Sequence, residues 1–376
     1  MKTEEYATEY CTERGLSKST YFAVRRTLNH YSNFQQMSIE ELLNEADAEE
    51  EAGIRWKKRK LKTRLINYMN HLRTTMSFNT AKAYLKIIKS FYSHYEIEIH
   101  KLPSLNERTS NISEPISYAD LPTNTIIKKA YNIAKPVMKA ILLFQSSTGM
   151  SRSDTLNLTI QDFINSVEEY LPSSKDLQST FQHLQSIADS VDIIPTWRCR
   201  RQKTRKYFVT FNSHESTMEI VNYLQMRHRK KELKLSDRLF KINPSHYSEN
   251  FQELNDALGL KKKGSYNLLR GHMLRKFHAS ALSKDGMDRY LVNVLQGKSN
   301  GQVDDVYFFE DETKLRKEYI KHMHSLLILS EVKEVTVYSE EFIEIKKEND
   351  KLKEQIAEIR KMQDDIVELK KLFSMK

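Results

Sequence analysis

Residues Ile193–Asn212 read IIPTWRCRRQKTRKYFVTFN. β-branched and aromatic residues flank a polar centre at Gln202–Thr204, the pattern of two short strands joined by a turn. The flanks and tip carry Arg198, Arg200, Arg201, Lys203, Arg205 and Lys206, with no acid between Thr196 and Phe211. An electropositive hairpin is predicted. It decides the fold class because the sequence around it has a helical period. Nine glycines and seven prolines in 376 residues fall well below the roughly 12% of an average chain, so few positions can supply turn geometry. The expectation is a mainly α (α+β) protein with one small antiparallel hairpin embedded in helices.

Upstream, apolar residues recur at three and four: Leu61, Leu65, Tyr68, Met69 and Leu72, then Ala81, Tyr84, Leu85, Ile88 and Tyr92. That spacing predicts amphipathic helices. From Ala52 to Tyr95 there are eleven Lys/Arg and no acid, whereas an ordinary solvated helix face mixes signs. Arg55, Lys57, Lys58, Arg59, Lys60, Lys62, Arg64, Lys82 and Lys86 are therefore candidate contacts to a polyanionic partner, together with Arg198, Arg200, Arg201, Arg205 and Lys206 of the hairpin. The acidic stretch Glu40–Glu51 reads as a loop or short helix within the same domain. Residues 1–102 form one predicted helical domain, and 103–123, rich in Pro, Ser and Asn, a linker.

From Asn124 a helical pattern returns through Lys139–Gln145, with a turn at Ser146–Ser153. Further helices are expected near Glu215–Lys231, Tyr247–Leu258, His272–Leu282, Met287–Leu295 and Glu312–Leu329, giving a domain over 124–330. The tail, 331–376, carries the stripe Leu352, Ile356, Ile359, Met362, Ile366, Leu369 and Phe373, a near-heptad seam with one slip. It predicts a coiled-coil helix for self-association, the alternative being a single amphipathic helix folded back on the body.

Composition excludes several classes. Cys11 and Cys199 belong to no CxxC or CxxH pattern, against a disulfide scaffold or zinc finger. There is no GxxxxGK[ST] loop and no HExxH, and acids are absent from Ala257–Lys284, so neither a P-loop ATPase nor a two-metal nuclease is expected. No metal and no cofactor are predicted. No apolar run approaches the ~20 residues that span a bilayer, and MKTEEYATEY lacks a hydrophobic signal core, so a soluble, cytoplasmic, nucleoid-associated protein is expected. A formal charge of +10 favours a polyanionic partner.

Basic residues in four places complete the pattern: Arg152 after the glycine of SSTGMSRSDTLNL, Lys203 at the hairpin tip, His272 and Arg275 in RGHMLRKFH, and the stretch LQGKSNGQVDDVYFF ending near Tyr307. His272 and Arg275 share a helix face. In these motifs and their order the chain resembles the tyrosine recombinase (integrase) family, in motif shape especially the archaeal integrases, over about residues 124–330. The resemblance implies a catalytic domain with Arg152, Lys203, His272, Arg275 and the nucleophile Tyr307, preceded by a core-binding DNA clamp. Where the family pattern has His or Trp, this chain has Gly297 and then Lys298, so Lys298 is the candidate for that role. Asp154 stands one residue earlier than the usual acid. Tyr319 and Tyr290 are the fallback nucleophiles.

The chemistry suits the residues. Displacement at a phosphodiester builds charge on two non-bridging oxygens, which guanidiniums grip bidentately. A tyrosine oxygen forms a reversible phosphodiester that stores the bond energy, while Lys203 protonates the departing 5′ oxygen and His272 shuttles the nucleophile's proton. The expected function is site-specific recombination on double-stranded DNA through a 3′-phosphotyrosyl link, in a tetramer on DNA, with accessory DNA-bending proteins as further partners. A type IB topoisomerase and a catalytically inactive DNA-binding relative remain open alternatives.

Overall fold

The computed structural model describes residues 2–105, 117–172, 176–263, 266–298 and 311–329. It is mainly helical with a two-stranded antiparallel sheet. The chain divides into two compact units, Met1–Pro115 and Ile116–Lys376.

The first unit contains α1 (Thr3–Glu13), α2 (Lys18–Gln35), α3 (Ile39–Glu51), α4 (Lys60–Thr75) and α5 (Phe78–His94). Leu65, Tyr68 and Leu72 of α4 pack with Ala81 and Ile88 of α5 in one core, each fully buried. The acidic stretch is a full helix: Ser38 and Glu41 form a capping box, and Ile39, Leu42, Leu43 and Ala46 supply a buried stripe that its charges hide in the sequence.

That helix corrects the expected single-sign surface. Glu49 accepts hydrogen bonds from the amides of Lys60 (2.8 Å) and Leu61 (3.4 Å), a carboxylate at the positive end of α4. Glu45 takes Arg64 at 2.6 Å and Lys60 at 3.2 Å, and Glu50 takes Arg59 at 3.1 Å. Arg59 is buried and also donates to the carbonyl of Ile54. Arg59 and Arg64 are thus engaged within the unit, because their acids arrive from a different helix. Arg55, Lys57, Lys58, Lys82 and Lys86 are exposed, and Lys62 is half-buried.

In the second unit, α6 (Asn124–Ile133), α7 (Pro136–Thr148), α8 (Arg152–Asn157), α9 (Ile160–Ser166) and α10 (Leu177–Ile187) precede β1 (Thr196–Arg200) and β2 (Tyr207–Phe211). Then come α11 (His214–Lys230), α12 (Pro244–Ala257), α13 (Gly271–Lys284), α14 (Arg289–Leu295) and α15 (Glu312–His322), with a 3-10 turn at Met323–Leu326. The apolar helix α7 is the axis of the unit, packed against α11 and α13, and Ile141, Leu142 and Phe144 are fully buried. The turn predicted from Ser146 begins later. Ser146, Ser147 and Thr148 remain helical, their hydroxyls bonded back to the carbonyls of Leu142, Leu143 and Phe144.

The strands pair from Thr196↔Phe211 to Arg200↔Tyr207. Trp197 faces the core and donates its indole N–H to Asn212 at 2.6 Å, while Thr210 donates to the carbonyl of Thr148 at 3.0 Å. The hairpin is thereby fixed to the end of α7. Among the described residues no helix is long and apolar enough to cross a membrane. The tail stripe lies outside the described residues.

Candidate active site

α7 ends on Gly149 in the left-handed conformation (φ 63°). A side chain there is excluded twice, by backbone strain and by space: a Cβ would lie 2.5 Å from His278 Nδ1 and 2.8 Å from Gln296 Nε2. The Gly149 carbonyl accepts from Arg275 Nη1 at 2.6 Å, and the Gln296 carbonyl from Arg275 Nη2 at 2.7 Å. Arg275, 7% exposed, is therefore held by the turn before α8 and by the turn after α14. Burial, with Arg201 nearby, draws its guanidinium down to about 10, partly offset by Asp154. It stays charged at neutral pH.

Arg275 lines a cavity of about 350 Å³ with His272, Lys276 and Lys298, and Ser117 and Tyr118 also line it. No acid is among the described residues lining it. Burial pulls His272 below its usual range, and the charges of Lys276, Arg270, Arg275 and Lys298 add to this. The imidazole is thereby kept neutral, in the form that accepts a proton. Lys298 is also shifted down, by burial first and then by Arg275, Arg201 and Arg289, which eases release of its proton.

Gly297, where the family pattern has His or Trp, has a structural reason. It sits at φ +60°, and a Cβ would lie 2.8 Å from the Phe208 ring of β2. The next residue, Lys298, reaches the cavity.

Arg152 opens α8, is exposed, and reaches Ser248 Oγ at 3.4 Å; it is not among the residues lining the cavity. Asp154 is buried and accepts from Ser151 Oγ (2.7 Å) and from the amide of Gln202 at the hairpin tip (2.9 Å). Lys203 follows Gln202 and is exposed. The cationic hairpin is partly engaged within the unit. Arg198 makes an ion pair with Glu312 at 2.6 Å, Arg201 donates to the Gly297 carbonyl at 2.7 Å, and Arg200 donates to the Arg205 carbonyl and lies over the Tyr207 ring. Arg198 and Arg201 thus tie the hairpin to α15 and to the Gly297 turn, partners that a sequence run cannot reveal. Tyr319 is fully buried and donates to the Ser147 carbonyl at 3.0 Å, which removes it as a nucleophile. Tyr290 is half-buried on α14. Tyr307 lies outside the described residues.

Sequence patterns did not point to Gln296, His278 or Tyr118. A lone histidine or glutamine on a helix reads as packing, and only the fold brings these residues against Arg275 or into the cavity wall. Among the described residues, no group of three or more His, Cys, Asp or Glu is placed to hold a metal ion.

No family model and no curated protein matches the chain. Solved structures do. The site-specific recombinase XerH, bound to a palindromic difH substrate after cleavage, is 15% identical and covers 84% of this chain and 93% of its own, with a TM-score of 0.48. The Tn1549 transposon integrase in complex with transposon right end DNA is 14% identical, covering 85% and 98%, at 0.43. The XerA recombinase is 18% identical, covering 85% and 97%, at 0.34.

Proposed function

We propose that this protein is a site-specific DNA recombinase that cuts and rejoins strands through a 3′-phosphotyrosyl intermediate on Tyr307. The observation that carries the reading is the cavity in which Arg275, Lys276, Lys298 and His272 meet, with no acid among its described lining residues. Such a cavity suits a phosphodiester, whose charge grows in the transition state. Arg275 and Arg152 contact the non-bridging oxygens, supplying positive charge without a metal ion. The Tyr307 oxygen attacks phosphorus, its proton passes toward His272, and the P–O5′ bond breaks. Lys203 or Lys298 protonates the departing 5′ oxygen. A 5′ hydroxyl from the partner strand reverses the step with no ATP, since the bond energy is kept in the phosphotyrosine. Exchange between two duplexes takes place in a tetramer assisted by the tail, and the basic first unit grips the DNA.

The test is a denaturing gel of the protein incubated with nicked target DNA. A covalent adduct is expected with wild type and none with Tyr307→Phe. No wild-type adduct where binding is demonstrated overturns the enzyme reading, and an adduct surviving in Tyr307→Phe overturns the nucleophile. Relaxation of supercoiled plasmids without site preference assigns the chemistry to a topoisomerase instead.

A further inference from the structure

Gln296 and His278 are fully buried directly behind Arg275. A buried amide and imidazole carry a desolvation cost that an apolar pair avoids, unless each polar group finds a partner. Here the paired atoms, Gln296 Nε2 and His278 Nδ1, converge on one residue, while Gln296 Oε1 and His278 Nε2 are buried with no hydrogen-bond partner among the described residues. Gln296 Nε2 donates to the main-chain carbonyl of Arg275 at 2.8 Å and lies 3.0 Å from His278 Nδ1. An amide nitrogen has only protons to give, so His278 Nδ1 accepts, and the imidazole proton is assigned to Nε2. The main-chain carbonyl of Gln296 receives Arg275 Nη2. One residue therefore grips Arg275 at both ends, its main chain through the amide and its guanidinium through a carbonyl.

The second guanidinium acceptor belongs to the same assembly. The Gly149 carbonyl takes Nη1, and Gly149 is packed so closely that His278 Nδ1 and Gln296 Nε2 stand where its Cβ would be. The Gln296 amide thus packs beside Gly149, which supplies one of the two carbonyls that orient the guanidinium, and the Gln296 main chain supplies the other. Two of arginine's five N–H groups are consumed in this lock, and Arg275 also lines the cavity.

We propose that Gln296, oriented by His278, is a positioning residue that presets the Arg275 guanidinium for phosphate. This rests on the reading of Arg275 as a phosphate contact. Preset geometry matters because a misplacement of about 1 Å costs on the order of 100-fold in rate. A charged group behind Arg275 would compete with it, whereas a neutral histidine and an amide do not.

The experiment uses the full chain with Gln296→Leu, His278→Phe and the double variant, each with three readouts: melting temperature, strand cleavage under saturating DNA, and side-chain ¹⁵N NMR of Arg275 Nη rotation. Both single variants are expected to melt lower, because each leaves one polar partner buried alone. The double variant, an apolar pair, recovers the melting temperature, yet its cleavage stays roughly 100-fold down with DNA affinity within a few-fold of wild type and Arg275 Nη rotation accelerated. Cleavage returning together with stability in the double variant overturns the proposal, as does unchanged Nη rotation in Gln296→Leu. Arg275→Ala separates the two readings. Wild-type cleavage in that variant removes Arg275 from the phosphate site, while the NMR readout continues to decide whether Gln296 orders it.

Discussion

Arg201 of the hairpin donates to the main-chain carbonyl of Gly297 at 2.7 Å, across 96 positions of sequence. Beside this bond, Phe208 of β2 fills the space where a side chain on residue 297 would project. The turn that presents Lys298 and the hairpin that carries Lys203 are thus one packed assembly. Asp154 completes it by holding the Gln202 amide at the other side of the tip. Two candidate proton donors are tied to each other through contacts that involve neither ammonium.

Gly297→Ala tests that assembly. The new Cβ would meet the Phe208 ring at 2.8 Å with φ at +60°, combining a clash with left-handed strain. A loss of about 1–3 kcal/mol is expected, read as a lower urea midpoint. Adding Phe208→Leu should recover only the steric part. An unchanged midpoint in Gly297→Ala would mean that the hairpin does not pack on this turn.

The two arginines should separate by stability. Arg275 is buried, with two bonds to main-chain carbonyls, so Arg275→Ala leaves both acceptors unpaired and costs on the order of 2 kcal/mol. Arg152 is exposed with one long bond to Ser248, and Arg152→Ala should stay within about 0.5 kcal/mol of wild type. Both should abolish adduct formation. Equal melting temperatures for the two variants would contradict the buried lock, and an active Arg152→Ala would remove that residue from the site.

How far the sequence reveals this arrangement depends on whether partners are local. The stripes Leu61–Leu72 and Ala81–Tyr92 predict helices because a 3.6-residue period is a property of one segment, and the hairpin is legible from its own β-branched and aromatic residues. The acidic helix α3 is ambiguous in sequence because its charges mask Ile39, Leu42, Leu43 and Ala46. The basic run is misread as single-sign because Glu45, Glu49 and Glu50 reach it only through folding. Gln296 and His278 carry no pattern at all; their meaning lies in meeting Gly149, more than a hundred positions away.

Acid stability should report on His278. Burial, with the charges of Arg275 and Lys298 adding to it, pulls this imidazole from 6.5 to about 3. Between those values the unfolded chain binds a proton that the folded chain refuses. Stability is therefore full above about pH 6.5 and declines as pH falls, by up to about 1.4 kcal/mol per pH unit from this group. Urea midpoints of wild type at pH 7 and pH 5 should differ more than those of His278→Phe, in which the group is absent. Parallel losses in the two proteins would show that His278 titrates normally in the fold.

The footprint of the first unit can be read from salt dependence, with the charges chosen by structure rather than by sequence. Lys57, Lys58, Lys82 and Lys86 are exposed, whereas Arg59 and Arg64 answer to Glu50 and Glu45. Replacing the four lysines by alanine should weaken binding to all DNA sequences alike. If each meets a phosphate, the slope of log K against log salt should fall by up to about 4. Glu45→Gln acts in the opposite direction: it releases Arg64 and Lys60, which it holds at 2.6 and 3.2 Å, and should steepen the slope. A surface that meets phosphate must respond to both changes with opposite signs. A slope indifferent to both would place the DNA on another face of the protein.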